Sequence, residues 1–365
     1  MNAIFSYTNP DAAFWASYSR LWQNSQGRSP FQSPRILEYF AGRAKGELAI
    51  VQGHSAGELR AVAILHKQNG VFSFLSDMKT DANFFVLHRA CSAEDVQSFF
   101  EQFLHIVKTE KWALVLNNQP GWAAYMTQLD AAGKASGLYW QHIRYSVCPI
   151  VEEATPQALF QRINGSRELR YRVNKLKNQE NAEFEVFTDD TDLEHWVDEF
   201  CQAHVLRWAD TPTPSSYRDP ARCAFLKGCL RAWSADGILR RFSVKVASGR
   251  VGFVVGLLEE NSLIHHSTTF HPDYWKHSPG KALIHFMASW MQEHDMRVLD
   301  FGDGDEPYKY TVANTEHQLD RIFICNPLNL KFILKTKAIK VVRDNPKMYD
   351  FYRDKIKRLT QRAKA

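Results

Sequence analysis

The sequence has no run of apolar residues close to the ~20 that a membrane-spanning helix requires. Its first residues, MNAIFSYTNPDAAFW, also lack the basic region and the following apolar stretch that mark a secretory signal. The six cysteines are scattered, without the CxxC spacing of zinc or redox sites. From these absences we expect a cytoplasmic protein with reduced thiols and no bound metal.

Two common nucleotide-binding motifs are missing as well, because the sequence contains neither GxxxxGKS/T nor GxGxxG. A net positive charge is found only at the C-terminus. Residues 331–365 contain twelve Lys or Arg and three Asp or Glu, a net charge of +9, whereas the whole chain carries +5. The preceding residues therefore carry −4, and this mildly acidic body argues against DNA binding.

The basic C-terminal segment has a helical pattern. Residues 328–342, LNLKFILKTKAIKVV, mix apolar residues with four lysines ahead of Asn345 and Pro346. A basic amphipathic helix of this kind binds the surface of an anionic membrane. The alternative is that its apolar face packs against the body of the protein. The sequence leaves both interpretations open.

The sequence does contain enough material for two domains, with 365 residues, 45% apolar residues, 10 Trp and 24 Phe. In the N-terminal half, strands are expected at 47–51, 58–66 and 71–75. A helix is expected to begin at the N-cap Ser92, and a further strand is expected at 112–116. Pro149 marks a boundary, so we expect an N-terminal domain at 1–150, a second domain at 151–327 and a basic tail at 328–365.

A more distinctive pattern occurs in the second half. A meander of strands is expected at 239–247, 251–259 and 262–269, and Pro279-Gly280 then opens a helix. A helix N-terminus offers free N–H groups and a partial positive charge, and glycine lets a ligand approach the backbone. The turn is therefore a candidate site for a pyrophosphate. The simpler interpretation is a helix that merely starts with Pro-Gly.

The segment that begins at this turn, HSPGKALIHFMASWMQEHDMRVLDFGDGDEPYKY (277–310), resembles the cofactor-binding and closing segment of the GNAT superfamily of N-acyltransferases. It is most similar to the CelD-type branch, which is related to the Fem-type peptidyltransferases. That branch has a PG turn before a helix and then a D-F-G-G-D-x-x-Y-K run. The matching residues are Pro279, Gly280, Asp300, Phe301, Gly304, Asp305, Tyr308 and Lys309. His277 stands where the superfamily usually has Arg or Gln, which leaves the acyl donor open.

The resemblance implies an α/β fold with a mixed sheet (α+β), built from two tandem GNAT-like domains of which the C-terminal one carries the cofactor site. It implies transfer of an acyl group from acyl-CoA to an amine, with acetyl as the first candidate for the group. The amine would belong to a sugar or to a precursor of cell-envelope or polysaccharide biosynthesis. It places acyl-CoA against the turn residues Ser278, Pro279, Gly280, Lys281 and Ala282. The alternatives are a Fem-type enzyme that takes its acyl group from aminoacyl-tRNA and a non-catalytic envelope-assembly protein that kept the fold.

Acyl transfer to an amine needs a group that accepts the amine proton and a group that protonates the departing thiolate. Tyr308 is the candidate acid, and the candidate bases are His265, His266, Asp303, Asp305 and Glu306. Lys309, Asp303 and Arg207 are candidates for binding the acceptor. A covalent acyl-enzyme is not expected, because Cys223 and Cys229 have no adjacent histidine in the sequence.

Overall fold

The computed structural model describes residues 1–7, 9–77, 79–211, 214–345 and 347–348. The chain folds into two compact units, unit 1 (1–146 and 318–365) and unit 2 (147–317). The first boundary lies close to the expected position 150. The second differs from the expected 327, because a strand that follows unit 2 returns to the sheet of unit 1.

Unit 1 is a sheet with the strand order β1-β2-β3-β4-β6-β13, and β5 pairs with β3. Its strands are β1 (Asn2–Ser6), β2 (Leu48–Ser55), β3 (Glu58–Gln68), β4 (Val71–Phe74), β5 (Val86–Leu87), β6 (Leu114–Pro120) and β13 (Thr315–Cys325). The pairing of β4 with β6 is parallel, whereas β13 pairs antiparallel with β6. Ile322 and Ile324 of β13 lie in the main core of this unit, which explains why the chain returns there.

The helices of unit 1 are α1 (Ala12–Gln23), α2 (Pro34–Ala41), α3 (Ala93–Thr109), α4 (Met126–Ala135) and α10 (Leu330–Asp344). Helix α3 begins where its sequence predicts. Ser92 accepts a hydrogen bond from the Asp95 N–H, and the Asp95 carboxylate accepts one from the Ser92 N–H. Its apolar stripe, including Phe99, Phe100 and Phe103, is fully buried in the core.

The strands of unit 2 have the order β7-β12-β11-β10-β9-β8, with mixed directions. Its strands are β7 (Tyr139–Glu152, which starts in unit 1), β8 (Glu183–Phe187), β9 (Leu239–Val246), β10 (Gly249–Glu259), β11 (Ser262–Phe270) and β12 (Val298–Asp300). The pairing of β11 with β12 is parallel, and the other pairings of unit 2 are antiparallel.

The helices of unit 2 are α5 (Pro156–Gly165), α6 (Arg167–Glu180), α7 (Leu193–Arg207), α8 (Pro220–Ala235) and α9 (Pro279–Glu293). Helix α9 buries Leu283 and Met287 against Val254 of β10 in the core of this unit. Short 3-10 turns lie at Ser216–Arg218 and at Pro272–His277, just before α9.

The same element order occurs in both units. In unit 1, the meander β2-β3-β4 is followed by α3 and then by β6, parallel to β4. In unit 2, the meander β9-β10-β11 is followed by α9 and then by β12, parallel to β11. The prediction of a mixed α/β sheet in each half is therefore confirmed.

The C-terminal segment forms the helix α10, as the sequence predicts. Its Phe332 packs with Phe323 and Cys325 of β13, so this helix belongs to unit 1. Among the helices of the described residues, none is long and apolar enough to cross a membrane. Residues 349–365, the remainder of the predicted tail, lie outside the described part of the chain.

Candidate functional site

Strand β11 carries an irregularity that shapes the site. Val255 of β10 pairs with Ser267, and the next residue, Gly256, pairs with His265, so His266 is an extra residue in β11. A bulge of this kind shifts the alternation of side chains by one position. His265 therefore shares a face of β11 with Thr268, and both line the same cavity.

The two parallel strands beside this cavity separate early. Within the described residues, the ladder between β11 and β12 ends at the pair Ile264 and Asp300. Strand β11 continues to Phe270, whereas the chain after Asp300 turns away through Gly302 and Gly304, both with positive φ. The backbone of β11 beyond the last pair is therefore available along this edge to a ligand that forms hydrogen bonds with it.

The N-terminus of α9 is open. Ser278 adopts the left-handed conformation (φ 51°), and its side chain does not cap the helix. The N–H groups of Lys281 and Ala282 turn back to the Ser278 carbonyl oxygen, whereas the Gly280 N–H donates no hydrogen bond within the described residues. A Cβ atom placed on Gly280 would meet only Thr268 Oγ1, at 3.8 Å. An anion can therefore approach the backbone at Gly280 closely.

Basic side chains surround this helix end. Arg172 Nη1 and Lys175 Nζ of α6 donate to the Lys276 carbonyl oxygen, over 2.9 and 3.3 Å. Lys281 Nζ lies 2.6 Å from Glu168 Oε1, and this contact lowers the pKa of Glu168. The first turn of α9 contains no acidic residue. The local charge is suited to a phosphate group.

A cavity of about 210 Å³ connects these features. It brings together six of the predicted site residues: Arg207, His265, Ser278, Gly280, Lys281 and Tyr308. It adds three residues that the sequence analysis did not select: Thr268, Phe270 and Trp275. Thr268 and Phe270 alternate with Thr269 along β11, so their shared face was readable, but its direction depends on the bulge. Trp275 is one of the largest exposed apolar side chains, which only the structure reveals.

His265 is the buried titratable group of this cavity. It is 3% exposed, and its ring lies 5.7 Å from the Phe301 ring and 6.5 Å from the Tyr308 ring, between centroids. Burial lowers the pKa of His265 to about 4. The imidazole is therefore neutral at pH 7 and has a lone pair that can accept a proton.

His266 points elsewhere. Its ring packs edge-on against Trp233 of α8, with 5.4 Å between the centroids, and it does not line the cavity. The bulge is the physical reason, since it separates the two neighbouring histidines onto different sides. Of the two histidines predicted as bases, His265 lines the cavity and His266 does not.

The predicted role of Lys309 is corrected by its surroundings. Its side chain is 3% exposed, and Nζ donates to the carbonyl oxygens of Gly302, Asp303 and Gly304 over 3.1, 2.9 and 2.9 Å. Glu306 Oε2 completes the shell at 2.8 Å. Lys309 therefore closes the turn after β12 and is not placed to bind an acceptor.

Four further predicted residues do not line the cavity. Asp305 is exposed, so its surroundings give no support to a role as the base, and Asp303 contributes its carbonyl oxygen to Lys309. Pro279 and Ala282 are buried in the first turn of α9. Within the described residues, no group of His, Cys, Asp and Glu side chains is arranged to hold a metal ion.

Comparison with known proteins agrees with this geometry. Residues 164–310 match the family model described as an acetyltransferase (GNAT) domain. This match covers the opened helix α9, the strands beside it and the turn closed by Lys309. No curated protein matches the sequence.

Several solved structures share the fold over both units. FemX is 11% identical, with a TM-score of 0.62, and the match covers 89% of this chain and 98% of FemX. L-PGS from Bacillus licheniformis is 12% identical, with a TM-score of 0.58 over 90% of this chain and 97% of that one. The C-terminal domain of a protein named as a lysylphosphatidylglycerol synthetase from Agrobacterium fabrum is 11% identical, with a TM-score of 0.60 over 90% and 97%.

At such identities the likeness concerns the fold alone, while the residues that match the family model include all nine that line the cavity. Both findings point to the same part of the chain. Residues 164–310 are therefore similar to a GNAT acetyltransferase domain, and the chain shares its two-domain fold with FemX.

Proposed function

We propose that unit 2 transfers an acyl group from acyl-CoA to an amine, with acetyl as the first candidate. The amine attacks the thioester directly, without an acyl-enzyme. The observation that carries the proposal is the open N-terminus of α9, which faces the same cavity as His265 and Tyr308. A phosphate-binding helix end and a proton-accepting side chain in one cavity match the two ends of an acyl-CoA thioester.

The residues present suit such a donor. The Gly280 N–H and the basic side chains around α9 would hold the diphosphate. The free edge of β11 beyond Ile264 offers backbone groups to the amide-bearing arm of the donor. Nearby backbone N–H groups would stabilise the oxyanion that forms on the thioester carbonyl.

The cavity residues His265 and Tyr308 can accept and donate every proton that the transfer moves. The amine nitrogen bonds to the thioester carbon, the amine proton passes to neutral His265, and the carbon–sulfur bond breaks. The Tyr308 hydroxyl gives a proton to the departing thiolate and recovers one from protonated His265. Because burial lowers the pKa of His265 to about 4, its protonated form is more acidic than an exposed imidazolium and can return a proton to the tyrosinate.

The acceptor class follows from the resemblance to the CelD-type branch, which favours an amine on a sugar or on a cell-envelope precursor. The likeness to FemX and to a lysylphosphatidylglycerol synthetase supports an envelope-related role. The six cysteines are free thiols, which supports a cytoplasmic location.

A second candidate function uses aminoacyl-tRNA as the donor. It is favoured by the basic side chains of α6, because Arg172 and Lys175 lie against the loop that precedes α9. Phosphates of a nucleic acid would meet the same cations as the diphosphate of CoA. The non-catalytic alternative requires no donor at all, and the experiment below separates all three.

Calorimetric titration with acetyl-CoA, longer acyl-CoAs and free CoA tests the proposal. We expect binding by the wild-type protein and no detectable binding by Gly280→Asp, because the variant places a negative charge where the phosphate must approach. Gly280→Ala is the matched control, since its Cβ meets only Thr268 Oγ1 at 3.8 Å, and we expect it to retain binding.

Unchanged affinity in a folded Gly280→Asp protein would contradict the placement of the diphosphate. Failure of the wild-type protein to bind any CoA compound, together with tight binding of aminoacyl-tRNA, would select the second candidate. Binding of neither donor would leave the non-catalytic role.

A further inference from the structure

One cation in the cavity of unit 2 lacks the counter-groups that other buried cations have. Arg207 is the last residue of α7, and its guanidinium lies 4.2 Å from the centre of the Phe270 ring, at the cavity wall. The side chain is half-buried. Within the described part of the chain it has neither a hydrogen bond nor an ion pair; it also lies 5.9 Å from the Trp208 ring and interacts electrostatically with Tyr308.

Two other cations of unit 2 show what burial normally requires. Arg250 contacts three carboxylates, those of Glu185, Asp192 and Glu199, at 2.7, 2.8 and 2.7 Å. Lys309 has three carbonyl oxygens and a carboxylate around its ammonium group. Buried charges are stable when they are paired in this way. Arg207 is the exception.

The position of Arg207 leaves the N–H groups of its guanidinium available to a molecule that enters the cavity. Stacking on Phe270 covers one face of the planar guanidinium, and the edge carries the N–H groups. Burial lowers the pKa of Arg207, which shows that its charge is held away from water. A planar fork of donors at a cavity wall matches the oxygens of a phosphate or a carboxylate.

We propose that Arg207 is an anion-binding residue, which holds a phosphate or carboxylate group of a molecule bound in this cavity. Its assignment to one substrate rests on the proposed function. If the anion is the diphosphate of the donor, Arg207 assists Gly280. If the anion belongs to the acceptor, the acceptor is an amine that also carries a carboxylate or phosphate group.

Arg207→Met tests the proposal, because methionine keeps the stacking on Phe270 and removes the charge. The matched control is Arg240→Met. Arg240 is also partly buried and lies over the Trp290 ring, but it donates to the carbonyl oxygens of Gly237 and Leu239 and does not line the cavity. The probes are CoA, pantetheine, inorganic pyrophosphate and succinate, measured by calorimetry.

We expect Arg207→Met to weaken the binding of one class of anion by about tenfold or more, while Arg240→Met retains it. Loss confined to CoA and pyrophosphate, with pantetheine unchanged, identifies the donor as the source. Loss confined to succinate, with CoA unchanged, identifies the acceptor. Arg207→Met is also expected to unfold no more easily than the wild-type protein, because it removes an unpaired charge.

Anion binding by Arg207→Met that equals the wild type for every probe would overturn the proposal, as would a wild-type protein that binds none of the anionic probes. A protein that binds pyrophosphate through Arg207 but does not bind CoA would keep this proposal and reject CoA as the donor. The two proposals therefore fail separately.

An independent observation concerns α10, which has two distinct faces. The inner face packs on unit 1: Thr336 is buried, its carbonyl oxygen accepts from Gln141 Nε2 over 3.2 Å, and Arg343 donates to the Arg144 carbonyl oxygen over 3.1 Å. Packing on the body, one of the two interpretations of the sequence, is thus confirmed for this face.

The outer face combines exposed apolar residues with lysines. Leu330, Leu334 and Val341 are 65%, 68% and 59% exposed, and Leu328 just before the helix is 87% exposed. Helical spacing aligns the first three along one stripe. The exposed lysines beside it are Lys331, Lys335, Lys337 and Lys340.

From this second observation we infer that the outer face of α10 binds the surface of an anionic lipid bilayer. The apolar stripe would enter the boundary between headgroups and acyl chains, and the lysines would contact the anionic headgroups. One acid at the end of the helix, Asp344, pairs with Lys340 and opposes the other cations little. The charge of the face is complementary to a membrane of this kind.

Sedimentation with vesicles tests the inference, using phosphatidylserine mixed with phosphatidylcholine and phosphatidylcholine alone. We expect binding to the anionic vesicles that falls with added salt, and about tenfold weaker binding by Leu330→Ser/Leu334→Ser. The matched control is Leu206→Ser, an exposed leucine of unit 2, which should bind as the wild type does.

Equal binding to both kinds of vesicle, or no binding, would overturn the inference. So would a dimer in light scattering that Leu330→Ser/Leu334→Ser abolishes, because the stripe would then be covered by a second copy of the chain. Wild-type behaviour of the double variant on anionic vesicles would also count against it.

Discussion

The two units contain the same sequence of elements, a meander, a helix and a parallel strand, but their central helices begin differently. In unit 1, α3 begins with a closed capping box formed by Ser92 and Asp95, and its first turn contains two acids, Glu94 and Asp95. In unit 2, α9 begins at Ser278, which makes no side-chain cap, and its first turn contains no acid.

The N-terminus of α3 is closed by its own side chains, whereas the N-terminus of α9 is left open. At the start of α3, side chains accept hydrogen bonds from the Ser92 and Asp95 N–H groups, and two acids occupy the positive end of the dipole. Helix α9 leaves that end to a ligand and has Gly280 where the ligand would approach. Of these two helices, both within the described residues, α9 is the one whose N-terminus is open to an anion.

The comparison would be sharpened most by Tyr308→Phe, because the described residues of unit 1 contain no counterpart of the turn that carries Tyr308. We expect turnover to fall about 10²–10⁴-fold, the usual effect of removing a general acid, with the affinity for acetyl-CoA unchanged. Steady-state kinetics and calorimetry measure the two quantities.

Asp305→Asn is the matched control for Tyr308→Phe. Asp305 is exposed and does not line the cavity, so turnover should stay within a few-fold of the wild type. A larger loss in Asp305→Asn than in Tyr308→Phe would return the catalytic role to the carboxylate.

Lys309→Met tests whether the same turn is held together by a buried ammonium group. The substitution leaves three carbonyl oxygens without their donor, and we expect it to lower the free energy of unfolding by roughly 4 kcal/mol. Lys281→Met, which breaks only a partly exposed pair with Glu168, should cost less than about 1 kcal/mol. Denaturant titration distinguishes the two. A fully stable Lys309→Met protein that fails only in acceptor binding would contradict this role.

The pH dependence of stability reports on His265. The corresponding strand of unit 1, β4, contains no histidine. The pKa of His265 is lowered to about 4, so between about pH 4 and 6.5 the unfolded chain binds a proton that the folded protein does not. The free energy of unfolding therefore has its full value above pH 6.5 and decreases as the pH falls, by about 3 kcal/mol between pH 6.5 and 4.

His265→Phe should remove this loss, since phenylalanine packs beside Phe301 without titrating. Denaturant titrations at several pH values would compare the two proteins. The same loss in the variant and the wild type would show that another group is responsible.

The smallest expected effect comes from opening the helix end of unit 1. Ser92→Ala should lower the free energy of unfolding by about 1 kcal/mol, because the Asp95 N–H loses its acceptor. Ser278→Ala is the matched change in unit 2 and should cost less, since Ser278 makes no cap. Loss of the cap in Ser92→Ala should not create CoA binding at α3, because the acids Glu94 and Asp95 remain in its first turn. CoA binding by Ser92→Ala at a second site would break the comparison.

Much of the fold was predictable from local patterns. The helix that begins at Pro279, the meander that leads to it and the N-cap at Ser92 are set by neighbours in the sequence, and the structure confirms them. Cap residues, glycine turns and apolar periodicity act over a few residues, so a single sequence contains the information.

The rest depended on contacts between distant residues. The bulge at His266 follows from the register of β11 against β10, and alternation along β11 alone could not choose between the two histidines. The burial of Lys309 depends on a turn with two glycines at positive φ. The return of β13 to unit 1 is a pairing with β6, almost two hundred residues earlier in the chain.

That return of β13 has a consequence for the order in which the protein is made. A ribosome delivers the chain from its N-terminus, and domains generally fold as units once they have emerged. All of unit 2 emerges before Ile322 and Ile324, which complete the core of unit 1. The half that is synthesised first is therefore completed last, and the edge of β6 stays unpaired while unit 2 is already able to fold.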